Sequence, residues 1–276
     1  MVTHRKQCDS PETATPRLIP HTASQLRNAL AACEAIGLSE MDGVALMDRT
    51  DTKYVVPVQT LIPVIEAVTG DYRALEINCQ RLNRYRTVYF DTDTMSFYLQ
   101  HHAGNEVRYK VRSREYIESH LSFLELKRKT NKDRTIKQRI PTPEPLTQAG
   151  RQVDDFLLSQ FPLAEPGLSP KLIIGFDRAT LVSKHGAERL TLDIDLSFEA
   201  NGHQAALPGI AIVEVKQAGF DRTSPVMVAM RAAGVPPRGI SKYCLGVSLL
   251  YPEIKHNNFK PRLLLLEKLM KEAGNA

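Results

Sequence analysis

Four basic residues stand at alternate positions between Glu106 and Tyr116: Arg108, Lys110, Arg112 and Arg114. In a segment this rich in Tyr and Val the spacing predicts a strand, and side chains two apart on a strand share a face. A solvated sheet face usually mixes Lys with Glu and Thr. Four cations in a row repel one another with nothing local to offset them.

The pattern recurs. Arg49, Asp51 and Lys53 share a face, as do Phe123, Glu125, Lys127 and Lys129 in Ser122 to Lys129. In Arg189 to Phe198 one face carries Arg189, Thr191, Asp193 and Asp195, backed by Leu190, Leu192, Ile194 and Leu196. In Ile210 to Lys216 it carries Ile212, Glu214 and Lys216, while Arg178 and Lys242 sit singly on other predicted strands. If the sheet closes with these faces inward, its lumen is a cation-lined tunnel that needs an anion to be stable. The planar fork of Arg grips two phosphate oxygens at once, which points to an inorganic or nucleotide polyphosphate. The few carboxylates among the cations suit Mn²⁺ or Mg²⁺, which bridge one or two carboxylates to substrate phosphates.

The remaining segments frame this sheet. Residues 1–22 are polar with scattered Pro and Thr and read as a flexible arm, leaving 23–276 as one domain. Ser24 to Ile36, Pro57 to Val68, Leu146 to Phe161 and Pro261 to Ala273 read as helices. Ser224 and Pro225 open another, which Gly234 closes. Strands are expected at Arg84 to Asp91, Met95 to His102, Lys171 to Val182 and Lys242 to Val247, with Ala103-Gly104-Asn105 as a hairpin turn and a break at Pro141, Pro143 and Pro145. About eight to ten strands with four or five helices, from this period count, give an α+β fold: a mostly antiparallel β-barrel with surrounding helices.

Composition removes other classes. A formal charge of +5 over 276 residues is too small, without a recognisable motif, for a nucleic-acid binder. No apolar run approaches the ~20 residues of a membrane span. The polar start, Met1 to Cys8, argues against a signal peptide. Cys8, Cys33, Cys79 and Cys244 form no C-x-x-C pair, which disfavours zinc and suits a reducing, cytoplasmic setting. A membrane-protein partner is compatible with all of this.

Several short motifs then occur in a set order: Arg49-Thr50-Asp51-Thr52-Lys53-Tyr54, Tyr89-Phe90-Asp91-Thr92, the pair Arg112 and Arg114, and Phe123-Leu124-Glu125-Leu126-Lys127. Phe176-Asp177-Arg178, Arg189-Leu190-Thr191-Leu192-Asp193, Val213-Glu214-Val215-Lys216 and Ser241-Lys242-Tyr243 follow. From Asp48 to Gly246 the series resembles the VTC (vacuolar transporter chaperone) catalytic domains, members of the triphosphate tunnel metalloenzymes, which resemble the CYTH group. The resemblance implies a basic β-barrel tunnel, a divalent metal and a triphosphate-containing substrate. It implies a polyphosphate polymerase that moves the γ-phosphoryl of ATP onto inorganic polyphosphate. Carried over, Lys53, Arg112, Arg114, Lys127, Arg178 and Lys242 grip phosphates and Glu214 holds the metal. Arg49, Arg108, Lys110, Lys129 and Lys216 are further phosphate contacts. Where most tunnel enzymes open on Glu-x-Glu-x-Lys, Arg49, Asp51 and Lys53 stand here, which disfavours a two-metal hydrolase.

Within this reading Arg112, Arg114, Lys127 and Arg178 are the expected catalytic set. Asp193 and Asp195 are expected to orient arginines, and His101 and His102 to be solvated beside the hairpin turn. The alternatives are a tunnel triphosphatase, or a non-catalytic module binding polyphosphate or inositol polyphosphates.

Overall fold

The alternating segments become the strands of one sheet, described in the computed structural model over residues 18–44, 49–132, 134–160 and 167–274. α1 (Pro20–Ala31), β1 (Glu34–Ile36), β2 (Thr50–Pro57), α2 (Val58–Glu66), β3 (Tyr72–Leu75) and β4 (Asn83–Asp91) come first. α3 (Ser96–Ala103), β5 (Arg108–Tyr116), β6 (Leu121–Lys129), β7 (Thr135–Thr142) and α4 (Arg151–Gln160) follow. The rest is β8 (Ser169–Ser183), β9 (Glu188–Ala200), β10 (His203–Leu207), β11 (Ile210–Gln217), α5 (Pro225–Ala232), α6 (Lys242–Leu250) and α7 (Lys260–Gly274). The main path of the sheet runs β2-β11-β9-β8-β4-β5-β6-β7, with every neighbour antiparallel. Among the described residues no helix is long and apolar enough to cross a membrane.

The expected barrel closure is not formed: β2 and β7 end the path and do not pair. The sheet is nevertheless curled, since Lys127 of β6 feels the charge of Lys53, and Lys137 of β7 that of Arg49 and Asp51. The seam stays open for a physical reason. β7 carries Pro141, which has no N–H to donate, and exposed Lys137 and Arg139, which discourage edge pairing.

Several expected elements are corrected, among them Ser24 to Ile36, whose helix ends at Ala31 and whose last residues, Glu34–Ile36, form β1. Met95 to His102 is not a strand but belongs to α3, because buried Asp91 acts as its cap: its carboxylate accepts the backbone N–H groups of Phe97 and Tyr98, both at 2.9 Å. The expected hairpin turn is the C-terminal end of that helix, with Gly104 at φ 76°. Lys242 to Val247 is helical too, opened by Ser241, whose Oγ accepts the N–H of Cys244. In β9 the alternation breaks at Asp195, where φ is 50° and the register with β8 slips. Asp195 therefore leaves the face of Asp193, and its Oδ1 accepts the N–H of Leu18 at 2.8 Å. Residues 1–17 of the expected arm lie outside the described residues, as does Phe161, but Leu18 is buried and α1 already begins at Pro20.

On the convex side α1, α2 and α5 cover β2, β11, β9 and β8, and α4 covers β4 to β6. On the concave side α6 packs over the apolar half, where Leu172, Ile174, Phe176 and Phe198 face Tyr243 and Val247. A Cβ on Gly246 would come within 2.5 Å of Leu172 and 2.7 Å of Phe198, so the helix can lie this close only with glycine there. The other half of the concave face is left to the charged residues.

Candidate functional site

Strand register assembles the charges. On β5, Arg108, Lys110, Arg112 and Arg114 stand opposite Lys129, Lys127, Glu125 and Phe123 of β6. Lys137 and Arg139 of β7 stand opposite Lys127 and Glu125. Across the trough Glu214 lies between Lys53 and Thr191, Lys216 between Asp51 and Arg189, and Arg178 opposite Asp193. The expected residues thus share the concave face, with Arg49, Arg108 and Lys129 toward its margins. Arg49 Nε donates to Asp51 Oδ1 at 2.9 Å, and Arg108 Nη1 to the carbonyl of Asn105 at 2.7 Å.

Three carboxylates organise the cations. Asp193 receives both Nε and Nη2 of Arg178 and also the ammonium of Lys242. Burial pushes its carboxyl up, but Arg178 and Lys242 outweigh burial and hold it below the usual range. Glu125 accepts Arg112 Nε at 2.5 Å; against burial, Arg112 and Arg114 hold this carboxyl down at about 2. Glu214 pairs with Lys216 and, at 3.4 Å, with Lys53, which together outweigh its burial and keep it ionised.

Other cations lack such partners. Arg114 is buried; its Nε donates to Thr87 Oγ1 at 3.3 Å, and the guanidinium lies 5.8 Å from the Tyr85 ring. Lys110 Nζ donates to Ser241 Oγ at 2.9 Å. Lys127 has no hydrogen-bond or ion-pair partner among the described residues. Burial, with Lys110, Lys137 and Lys53 around it, pushes its ammonium down to about 7. Burial likewise lowers Lys216 to about 8 although Glu214 opposes it, and lowers Lys110 and Lys242. The trough holds more positive charge than its own carboxylates neutralise, an arrangement chemically suited to an anion with many oxygens.

His101 and His102 do not behave as solvated residues. His102 is buried, and its Nε2 accepts the N–H of Asn258 at 3.3 Å. Burial and then Lys110, Arg108, Lys127 and Lys129 push the His101 imidazole down to about 2, so it stays neutral at that end of the trough. Sequence reasoning missed Lys137 and Arg139, although their two-residue spacing was readable; the prolines beyond them masked the strand. Tyr89, named there only within a motif, also belongs to the site: its hydroxyl accepts a hydrogen bond from Arg112 Nη1 at 3.1 Å.

A curled antiparallel sheet whose concave face gathers Arg and Lys from several strands and the start of a helix defines an α+β protein with a strongly basic trough. The chain belongs to the VTC domain family, whose profile matches residues 48–251. Among curated proteins, none matches the chain in sequence. Solved structures similar to it include a Vibrio parahaemolyticus protein described as a candidate adenylate cyclase, at TM-score 0.43 and 13% identity, covering 72% of this chain and 97% of that one. A Hippeastrum protein, described as a candidate adenylyl cyclase with a dominant triphosphatase activity, reaches TM-score 0.43 and 14% identity over 73% of this chain and 96% of its own. A Pyrococcus horikoshii protein reaches 0.40 and 10%, covering 69% and 96%.

Proposed function

We propose that this protein is an ATP-dependent polyphosphate polymerase, with ATP and inorganic polyphosphate as its ligands. The observation that carries the reading is Lys127, which stands between Lys110 and Lys137 on the concave face with no hydrogen-bond or ion-pair partner among the described residues. Its ammonium is driven down to about 7 by burial and by neighbouring lysines, although Glu214 opposes this. A phosphate chain laid along the trough would supply the missing negative charge there and at Lys110 and Arg114. The three free cysteines among the described residues suit a cytoplasmic site of action.

In the proposed transfer the bond between the γ-phosphorus and the β,γ-bridging oxygen breaks, and a bond to the terminal oxygen of the chain forms. ADP leaves and the chain grows by one phosphate. The attacking oxygen is already ionised, so no side chain has to take a proton from it. The protein's work is to align the two anions and to neutralise the charge they bring together. Arg112, Arg114, Arg178 and Lys127 take the transferring phosphoryl, and Lys53 and Lys242 hold the rest of the chain. Arg49, Arg108, Lys110, Lys129 and Lys216 extend the grip to either side.

Glu214 would hold Mn²⁺ or Mg²⁺. Asp193 and Glu125 are held through bidentate or short contacts to Arg178 and Arg112, whereas the carboxylate of Glu214, also ionised, meets only lysine ammoniums among the described residues. That donor fits a hard divalent ion whose other ligands are substrate phosphates and water. When bound, such an ion supplies positive charge on the triphosphate oxygens.

The test is incubation of purified protein with ATP and Mn²⁺, followed by a gel stained for polyphosphate and assays for ADP and free phosphate. Chains with matching ADP, lost in Glu214→Ala, are expected. Free phosphate without chains would replace the polymerase by a triphosphatase. Tight polyphosphate binding with no turnover would make the protein a binding module.

A further inference from the structure

Tyr89 stands opposite Arg112 in the β4–β5 register, so its ring projects from the same concave face as the arginines. It is only 5% exposed. The ring stacks on Tyr243, with centroids 4.8 Å apart and planes 21° from parallel. Tyr243 is fixed in turn, its hydroxyl donating to Asp91, the carboxylate that caps α3. The phenol is therefore clamped from behind and cannot swing out of the trough.

Its oxygen is half used. It accepts a hydrogen bond from Arg112 Nη1 at 3.1 Å, while Arg112 Nε and Nη2 turn to Glu125 Oε2. Among the described residues nothing accepts the phenol's own proton. Buried Tyr hydroxyls usually find a partner, and a group that lacks one needs an explanation. The charged groups acting on this one, Arg112, Arg114 and Lys110 of β5, are all cations that can only donate. Burial raises the phenol, but these cations outweigh it and bring it down to about 8, which makes its O–H a strong donor at neutral pH. A phenylalanine would fill the same stack, so packing on Tyr243 explains the ring and leaves the hydroxyl unexplained.

We propose that Tyr89 is a phosphate-binding residue of this trough, donating its phenol hydrogen to a non-bridging phosphate oxygen held between Arg112 and Lys110. The proposal rests on the phosphate reading of the site and extends it. Arg112 is largely committed to Glu125, and Tyr89 carries part of its polarising effect to the anion. The ligand class is a linear polyphosphate or the triphosphate of a nucleotide, whichever places a tetrahedral oxygen cluster there.

The test uses the full chain and inorganic tripolyphosphate without metal, read by calorimetry, so that binding is separated from turnover. Tyr89→Phe is expected to weaken binding by about 10- to 100-fold, the range for losing a hydrogen bond to a charged group. Tyr98→Phe serves as the control, because that hydroxyl meets Ser248 and the carbonyl of Lys255, away from the trough. A second readout is phenolate absorbance in the wild type. A tyrosine ionising near pH 8 should appear, tripolyphosphate should shift it upward, and Tyr89→Phe should remove it. If wild type and Tyr89→Phe bind tripolyphosphate equally, the role of Tyr89 is wrong while the phosphate site stands. If the wild type does not bind tripolyphosphate at all, the phosphate reading itself fails. If no phenol responds to tripolyphosphate, Tyr89 does not meet the anion, whatever the variant does.

Discussion

Asp193 grips Arg178 through both oxygens, Nε on Oδ1 at 2.5 Å and Nη2 on Oδ2 at 2.7 Å, and shares Oδ2 with Lys242. One carboxylate, with its side chain 3% exposed, thus ties a strand, β8, to a helix, α6, and aims two cations into the trough. Taking away one partner of a buried pair costs more than the pair contributes, because the other charge is left bare. Asp193→Asn should therefore destabilise the free protein by about 3–5 kcal/mol in urea unfolding. Tripolyphosphate should restore much of that loss, since its oxygens can take up both cations. An unchanged unfolding midpoint would mean that Arg178 and Lys242 are well solvated without Asp193.

Lys127 sets a dependence on pH whose sign follows from its lowered ammonium. Between about 7 and the ordinary lysine value the unfolded chain holds this proton and the folded, ligand-free protein does not. Stability must then rise with pH through that window and bear the full penalty below it. Lys127→Met should flatten this rise and leave the free protein more stable at pH 7. Binding of tripolyphosphate at pH 8 should recharge the ammonium and take up most of a proton. Calorimetry in buffers of different ionisation enthalpy measures that uptake, and Lys127→Met should abolish Lys127's share. An identical proton count in the variant would show that Lys127 does not meet the anion.

Much of this site was written in the sequence as a period of two. Arg108 to Arg114, Glu125 to Lys129 and Glu214 to Lys216 lie on the concave face as their spacing requires, because a strand leaves side chains no other choice. Long-range capping was hidden. Asp91 turns Ser96 to Ala103 into a helix by accepting N–H groups several residues away, and nothing in Tyr-Leu-Gln-His-His announces it. α6 misled for a related reason: it is buried on nearly every side, so its apolar run shows no helical contrast with polar residues. The bulge at Asp195 was beyond a rule that assumes unbroken alternation, and with it went the apolar patch of Leu196 and Phe198 that seats α6.

Gly246 tests how tightly that helix fixes the site. A methyl group there would meet the side chains of Leu172 and Phe198 below ordinary contact distance. Gly246→Ala should cost about 1–3 kcal/mol through overpacking. It should also weaken tripolyphosphate binding, since α6 carries Lys242 and Ser241 into the trough. Urea unfolding and calorimetry on the same sample separate the two effects. A loss of stability at full affinity would show that the helix start holds its place while its middle shifts.

Glu214 is the residue on which the metal and the bare ion-pair readings part company. Its carboxylate already holds Lys53 at 3.4 Å and Lys216 closer still, so charge balance alone could explain why it is there. Glu214→Gln keeps the shape and removes the charge. Without metal, the two lysines lose a competing anion, and tripolyphosphate should bind more tightly than to the wild type under either reading. Divalent ions distinguish them. If Glu214 is a metal ligand, Mn²⁺ should strengthen tripolyphosphate binding in the wild type and have much less effect in Glu214→Gln. Turnover of ATP should then fall by about 10²–10³, the loss expected when one fixed charge stabiliser is removed. If Mn²⁺ strengthens binding equally in both proteins, the ion is held by the phosphates alone, and Glu214 serves only to keep Lys53 and Lys216 in place.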